Sequence, residues 1–358
     1  MITGQRRLSP ALLGAALLLA LPVLVFLGVR VGATGVHDSA YSWRGVLAVF
    51  GLGEELPRLE QTILELRLWR SLVAAGVGAA MAYSGALVQG VFRNGLAAPS
   101  IIGVTGGASL GATLAILALS GYGAALVDLS DAGRASFLIP LGGFFGALGA
   151  TLLVSTLALR GGRLSVSTML LMGIAVNAAI AGLLSLISWA VLSDWQVSQA
   201  LQAWTFGTFD DRSPQHVITL WGGLALAMLV IPRVAWELDL LQGGEEDADA
   251  LGVRSARVRA VCIAAAALAA ASAVAVAGQI AFIGLLVPHG LRLLVGSGHR
   301  ALLPLSVLGG AVFMLGIDTA QRAWLGDRAL QPGVIMALVG GPGFLLLLIS
   351  NRKEVDEW

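Results

Sequence analysis

Residues 243–259 read GGEEDADALGVRSARVR and form the most polar run of a chain in which 57% of residues are hydrophobic. Four acids come first, then Gly252, then three arginines, and apolar blocks of membrane-spanning length lie on both sides. So many charges are too costly to place in hydrocarbon. We therefore predict that this run is an aqueous loop between two membrane helices of an all-α polytopic membrane protein.

The composition indicates the same class of protein. Only 12% of the 358 residues are charged, whereas soluble domains contain about 25%, and the mean hydropathy is +0.86. The net charge of +1 offers no attraction to nucleic acid, so we predict no such partner. Cys262 is the one cysteine, which excludes an internal disulfide and metal sites made of cysteine pairs. We predict no metal site.

Apolar segments of about 20 residues each predict about ten transmembrane helices in a single domain, residues 1–358. These segments are 11–29, 71–91, 99–119, 136–158, 167–191, 217–236, 257–278, 280–296, 302–320 and 333–350. The first follows Arg6 and Arg7, as in a signal peptide. It is longer than the usual apolar core of about 7–15 residues, so we interpret it as a retained helix.

Basic residues in short loops favour an orientation with both termini in the cytoplasm. In that orientation 13 of the 22 Lys and Arg residues lie at inner ends. The polar segment 243–258 is then cytoplasmic. The predicted outer segments are 38–65, 121–134, 194–215 and 323–331.

Small residues predict close helix contacts, because lipid provides no hydrophobic drive between helices. Glycines recur at four-residue spacing at Gly103, Gly107 and Gly111, again at Gly142 and Gly146, and crowd the second span at Gly76, Gly78 and Gly85. Pro288 and the run 340–343 interrupt apolar segments, and we expect both to break or kink helices.

No catalytic group is predicted, so the chain is not expected to be an enzyme. The four histidines are scattered and lack metal-ligand spacing with any Cys or acid. We interpret His289 as a hydrogen-bonded structural residue rather than a haem ligand. No Gly-Lys-Ser/Thr sequence occurs, which excludes a phosphate-binding P-loop. If ATP drives this protein, a partner must bind it.

Polar residues within the apolar segments are candidates for a transport pathway. Asn177 and Ser185 lie in the fifth span, and a buried Asn needs a polar partner. A pathway and a helix–helix contact are equally compatible with them. Asp318 is the one acid that approaches a proton-relay position, and we favour an arginine-paired or snorkelling acid.

Three arginines stand at outer ends of predicted spans. Arg67 and Arg70 are one turn apart and share a helix face, and Arg322 ends the ninth span. They are either interfacial anchors or a basic rim that captures carboxylates of a docking protein.

Four stretches, in order, resemble the FecCD-type permeases of type II ABC importers, which take up iron–siderophores, haem and cobalamin. They are LRLWRSLVAAGVGAAMAYSGALVQGVFRNGLAAPSIIGVTGGASLGA (66–112), DADALGVRSARVR (247–259), GQIAFIGLLVPHGLRLLVGSGHRALLPLS (278–306) and GVIMALVGGPGFLLLL (333–348). One departure is Asn94-Gly95-Leu96, where the family usually has Asn-Pro-Leu. We expect this glycine to loosen the inner loop.

The resemblance implies the type II importer permease fold, with about ten spans in the bacterial inner membrane. It implies a homodimer around a central pathway, two copies of an ABC ATPase that hold ATP and Mg, and a periplasmic binding protein. Membrane lipid is the remaining partner, and this chain would bind no cofactor itself. The cargo would be an iron chelate (siderophore or haem) or cobalamin.

The family's functional positions map onto three sets of residues. In the family, two short coupling helices contact the ATPase, and they map to Glu245, Asp247, Ala248, Leu251, Gly252, Val253 and Arg254. Docking of the binding protein maps to Arg67, Arg70 and Arg322. The inner gate and pathway map to Leu164, Ser165, Ser167, Thr168, Asn177 and Ser185.

Two other functional classes remain as alternatives. An ion-coupled secondary carrier would need an intramembrane proton or ion site, and the scarcity of acids within the spans counts against it. A non-transporting membrane scaffold is the second alternative.

Overall fold

The computed structural model describes residues 8–31, 43–49, 51–52, 56–120, 132–160, 163–326 and 329–350. The predicted features at Arg6, Arg7, His37, most of 121–134 and the tail 351–358 lie outside these ranges.

Within the described ranges the chain is helical apart from one small hairpin, as the all-α prediction requires. The helices are α1 (Pro10–Arg30), α2 (Trp43–Val49), α3 (Arg58–Phe92), α4 (Val104–Leu119), α5 (Ala132–Leu157), α6 (Val166–Ala190), α7 (Trp195–Phe206), α8 (Pro214–Met228), α9 (Ile231–Gln242), α10 (Glu245–Ala250), α11 (Ser255–Ala277), α12 (Ile283–Val295), α13 (His299–Leu325) and α14 (Pro332–Ser350). A 3₁₀ turn at Pro99–Ile102 precedes α4. Strands β1 (Leu159–Arg160) and β2 (Arg163–Leu164) pair antiparallel.

The ten predicted spans coincide with helices or with a helix pair. In the described part of the chain, six helices are long and apolar enough to cross a membrane, namely α1, α3, α5, α6, α11 and α13. Helices α8 and α9 reach that length only as a pair. Three further apolar helices are shorter: α4, α12 and α14. The helical membrane fold is therefore confirmed.

We use "inner end" for the end of the bundle that carries α10 and "outer end" for the end that carries α7, following the predicted orientation.

The predicted sixth span is not one straight helix. Helices α8 and α9 are bent by 55° at a short break. Pro232 lies in the first turn of α9, where its missing N–H and its ring prevent α8 from continuing. The hydroxyl of Tyr83, which is fully buried, donates to the carbonyl of Ala227 at 2.9 Å. That bond occupies one of the carbonyls that the end of a helix leaves without an intrahelical partner.

Neither Pro288 nor the run 340–343 breaks its helix, and a kink at either place stays a prediction. Pro288 lies inside the continuous helix α12, and Pro342 lies inside α14. A proline removes one backbone hydrogen bond, and neighbouring helices can compensate for that loss at Pro288, which is buried.

Glycines bring several helix backbones into direct contact, as their spacing predicts. At each of these positions an added Cβ would overlap a carbonyl oxygen of the facing helix. The facing pairs are Gly107 with Gly146 and Gly111 with Gly142 between α4 and α5, Gly78 with Gly310 between α3 and α13, and Gly85 with Gly284 between α3 and α12. Close backbone approach of this kind holds membrane helices together through van der Waals contact.

Helix α3 lies at the centre of these contacts. It has 35 residues, about 52 Å at 1.5 Å per residue, and 94% of its most apolar window is buried. It packs against α13, α11, α12 and α8. Side chains near the two ends of α3 therefore lie at the inner end and at the outer end of the bundle.

Helix α7 was not predicted, and it covers part of the outer end. Asp194 begins it, since its carboxylate accepts a hydrogen bond from the backbone N–H of Val197 at 3.1 Å. Val197 and Leu201 pack against Ile116 of α4 in a small buried cluster. An Asp followed by a mixed polar and apolar run is a helix-start signal that could have identified it.

Candidate functional site

The polar segment forms a short helix between two membrane helices at the inner end. Helix α9 ends at Gln242, α10 covers Glu245–Ala250, and α11 begins at Ser255. The family resemblance implied two short helices here, but the structure has one of six residues. The second is absent because the turn at Gly252, whose φ is +85°, leads directly into α11.

Burial divides the predicted coupling residues into two groups. Ala248 is fully buried and Val253 is 6% exposed, so both anchor the segment in the core. Leu251 is 65% exposed at the tip of the turn. The other predicted residues lie at the surface: Glu245, which is half-buried, and Asp247, Gly252 and Arg254, which are exposed.

Two polar contacts tie α10 to α11. The Glu245 carboxylate forms a salt bridge with the guanidinium of Arg259, which is buried. Asp249 accepts from the Ser255 hydroxyl at 2.6 Å and from its backbone N–H at 3.4 Å. These contacts join α10 directly to the first two turns of α11.

The predicted gate lies at the start of α6. Leu164 ends the β1–β2 hairpin, and Ser165 is the N-cap of α6. The Ser165 hydroxyl accepts from the backbone N–H of Thr168 at 3.3 Å and from its hydroxyl at 2.9 Å. Ser167 is exposed. A Ser that directly precedes an apolar helical run is a typical N-cap signal, but the sequence analysis gave Ser165 only as a gate position.

Helix α6 is little covered by the rest of the chain. Only 11% of its most apolar window is buried, which leaves a long face available to lipid or to a second protein surface. Asn177 donates to the carbonyl of Ser100 in the 3₁₀ turn at 2.9 Å, and thus makes a contact between segments. Ser185 is exposed and donates to Ala181 of its own helix.

A buried carboxylate binds two arginines at the outer end. Asp318 is fully buried on α13 and accepts two hydrogen bonds from Arg70, from Nε at 3.1 Å and from Nη2 at 2.8 Å. It also accepts from Nε of Arg322 at 2.9 Å. The interpretation of Asp318 as an arginine-paired acid agrees with these contacts. Bidentate pairing of this kind is among the strongest hydrogen-bonded arrangements of side chains.

Arg67 and Arg322 bind the end of α1. Arg67 Nη1 donates to the carbonyl of Arg30 at 3.2 Å, and Arg322 Nη1 donates to those of Gly28 at 2.9 Å and Val31 at 2.6 Å. The last carbonyls of a helix lack intrahelical partners. These two buried guanidinium groups donate hydrogen bonds to them. A docking role for either arginine stays a prediction.

Arg70 reaches nearer to solvent than the other two arginines. Its Nη1 forms a salt bridge with Asp210, whose side chain is 69% exposed, whereas that of Arg70 is 13% exposed. Asp210 belongs to the loop between α7 and α8 and was missed by sequence reasoning. An Asp210-Asp211 pair in a predicted outer segment was the available signal.

The loop Asn94-Gly95-Leu96 contains a local hydrogen bond, and the expected loosening by Gly95 stays a prediction. The Asn94 side chain accepts from the backbone N–H of Leu96 at 2.8 Å. Gly95 is buried, and a Cβ there would lie 3.2 Å from Nδ1 of His289. The imidazole of His289 therefore packs where a larger residue at position 95 would extend.

Comparison with known proteins identifies the family. Residues 13–350 match the model of the FecCD transport family. The chain belongs to this family. As a FecCD permease it is the membrane component of an ABC transporter, not the subunit that hydrolyses ATP, as predicted. Within the described ranges, no group of three or more His, Cys, Asp or Glu side chains could hold a metal ion.

Several relatives of this FecCD permease have named cargoes. It is 35% identical to a cobalamin import permease of Halobacterium salinarum over 92% of this chain and 85% of the relative. It is 35% identical to a hemin transport permease of Yersinia pestis, over 81% and 84%. A molybdate import permease of Haemophilus influenzae is 32% identical, over 96% of both chains.

A solved structure supports the fold of the FecCD permease. This structure is a metal-chelate type ABC transporter in an inward-facing conformation. It aligns with a TM-score of 0.77 at 28% identity, covering 95% of this chain and 99% of the other.

Proposed function

We propose that this FecCD permease imports an iron chelate (a siderophore complex or haem) or cobalamin into the cytoplasm. It works as a homodimer in the inner membrane, with two ABC ATPase subunits that hold ATP and Mg and with a periplasmic binding protein. The observation that carries the proposal is the exposed segment 243–254, which is tied to membrane helices on both sides. Both chain termini lie in the cytoplasm with this segment.

The segment is suited to receive movement from an ATPase. Leu251 presents an apolar side chain at the tip, and exposed acids and Arg254 surround it. A central apolar anchor with a polar rim is the arrangement found in protein interfaces. Because Glu245 and Asp249 bind α11, force on the tip is delivered to a membrane helix.

The exposed face of α6 supports the homodimer and the pathway. Ser167 and Ser185 are exposed on a helix that the other described helices barely cover. Two copies of α6 that face each other would place these hydroxyls along a shared pathway between the subunits. Leu164 to Thr168 would then form its inner gate.

The identity of the cargo is tested by measuring ATP hydrolysis and cargo uptake in the assembled complex. The permease, the ATPase and the binding protein encoded beside it are reconstituted in liposomes and given a ferric siderophore, haem, cobalamin or molybdate. We expect one of the first three to stimulate hydrolysis and to accumulate inside. Stimulation by molybdate alone would contradict the proposed cargo, and accumulation without the ATPase would indicate a secondary carrier instead.

We propose that Arg70 is the arginine that binds the docking protein. It would do so by exchanging its exposed partner Asp210 for a carboxylate of the binding protein. Arg67 and Arg322 are committed to the end of α1, whereas Arg70 holds the exposed Asp210. A carboxylate of the binding protein would compete with Asp210 for Nη1 of Arg70. Asp210 therefore weakens docking as long as it remains charged.

This competition makes an unusual prediction for Asp210→Asn. Removal of the competing charge should tighten capture of the binding protein about threefold to fivefold, a change of up to about 1 kcal/mol. The measurement is a binding titration with permease in nanodiscs, at low and high salt. Asp194→Asn, which alters another outer acid that caps α7, serves as the control and should not tighten binding. Weaker capture by Asp210→Asn would show instead that Asp210 itself contacts the binding protein.

A further inference from the structure

A buried histidine joins the last turn of α9 to the start of α13. Asp239 Oδ1 accepts hydrogen bonds from His299 at two atoms, the backbone N at 2.7 Å and Nδ1 at 2.8 Å. Gln242, the last residue of α9, lies 3.2 Å from the same Nδ1 and donates to the carbonyl of Ser297 at 3.3 Å. His299 is fully buried. The carboxylate selects the tautomer with the proton on Nδ1.

The same imidazole lies against α3. A Cβ at Gly90 would be 2.5 Å from Nε2 of His299, so the ring occupies the space that a side chain at position 90 would need. Three helices therefore meet at His299: α9 through Asp239, α13 through its own backbone, and α3 through Gly90. Tightly packed contacts of this kind transmit displacement because the interior has little free volume.

Helix α9 lies between a bend and a glycine turn. At one end lies the 55° bend after α8. At the other end lie Gly243 and Gly244, where Gly244 has a φ of +131°. The segment 243–254 follows directly and begins four residues after Asp239. Movement of that segment is therefore passed to α9 close to its bond with His299.

Helices α3 and α13 continue this connection to the outer end. Gly78 and Gly310 bring their backbones into contact halfway, and Arg70 of α3 binds Asp318 of α13 at the outer end. The two helices are thus joined at three levels by close packing and charge. Packed side chains and ion pairs connected in this way can carry energetic coupling between distant sites.

We propose that Asp239 and His299 are positioning residues that pass the movement of segment 243–254 to α13 and α3. The inference rests on the proposed coupling function of that segment. Neither residue is among those proposed to contact the ATPase or the cargo. Their contribution is to convert displacement of α9 into displacement of the helices that carry Arg70 and Asp318.

The test is a double-mutant cycle on Asp239→Ala and His299→Ala in the reconstituted complex. The readout is the amount of cargo transported per ATP hydrolysed, measured for equal amounts of assembled complex. We expect His299→Ala, which keeps the backbone bond to Asp239, to lower this ratio about fivefold. Asp239→Ala should lower it at least as much, and the double variant no further than Asp239→Ala, since the side-chain contact is lost in all three. His216→Ala is the matched control: His216 is a buried histidine bonded to Ser213 at the outer end, and its loss should leave the ratio unchanged.

Two further variants separate coupling from folding. His299→Asn keeps a side-chain N–H in reach of Asp239 and should restore most of the ratio lost in His299→Ala. An unchanged ratio with reduced yield in the alanine variants, or additive losses in the double variant, would overturn the inference. Gly252→Val serves as the reference for the segment itself. If Gly252→Val uncouples and the Asp239 and His299 variants do not, only this inference fails; if Gly252→Val is also normal, the coupling function of the segment fails.

Discussion

A Gly252→Val permease should assemble with its ATPase and hydrolyse ATP, but transport per ATP should fall about tenfold or more. Gly252 has a φ of +85°, a region that costs a β-branched residue about 1–3 kcal/mol. An added Cβ would meet no atom within 4 Å, so the effect comes from the backbone and not from a clash. The turn reshapes, and Leu251 moves away from its position at the tip.

Gly252→Asn is the matched control for this prediction. Asparagine tolerates left-handed backbone conformations far better than valine does, so transport per ATP should remain near that of the wild type. Both variants are measured in proteoliposomes with saturating binding protein and cargo. Equal ratios for valine, asparagine and glycine would show that the geometry of this turn has no part in coupling.

An Asp318→Asn permease should lose about 3–5 kcal/mol of stability. The substitution leaves the guanidinium groups of Arg70 and Arg322 without their shared buried carboxylate, and uncompensated buried charge is strongly unfavourable. The change is measured as the shift of the thermal unfolding midpoint in detergent. We expect a large downward shift together with loosening of the outer end of α1, which Arg322 holds.

Asp210→Asn provides the matched comparison, because Asp210 binds the same Arg70 from an exposed position. Exposed ion pairs contribute only about 0–1 kcal/mol, so its midpoint should stay close to that of the wild type. A small shift for Asp318→Asn, equal to that of Asp210→Asn, would mean that the outer arginines do not depend on the buried carboxylate.

Much of the fold could be predicted because membrane helices follow directly from apolar length. The glycine spacing also predicted that residues such as Gly107 and Gly146 lie at helix contacts, since a four-residue repeat places glycines on one face, but it did not show which glycines face each other. The bend between α8 and α9 was missed because hydropathy does not respond to a single Pro232. Helix α7 was missed because it is too short and polar to register as a span.

The candidate sites could be predicted only in part. Spacing placed Arg67 and Arg70 on one helix face, but could not show that Asp318, 248 residues beyond Arg70, lies between Arg70 and Arg322. The same limit hid the bond between Asp239 and His299, which joins residues 60 positions apart. Such pairs depend on how distant helices pack, and no local pattern encodes that.

The most direct test of the central claim is site-specific crosslinking from the tip of segment 243–254. Cys262 is buried, so Cys262→Ser with Leu251→Cys gives a permease with one reactive thiol, to which a short photoactivated crosslinker is attached. The account predicts an adduct with the ATPase from position 251, and none from a matched Asp210→Cys permease at the outer end. Absence of the adduct at position 251 in a complex that still transports, or an ATPase adduct from position 210, would contradict it.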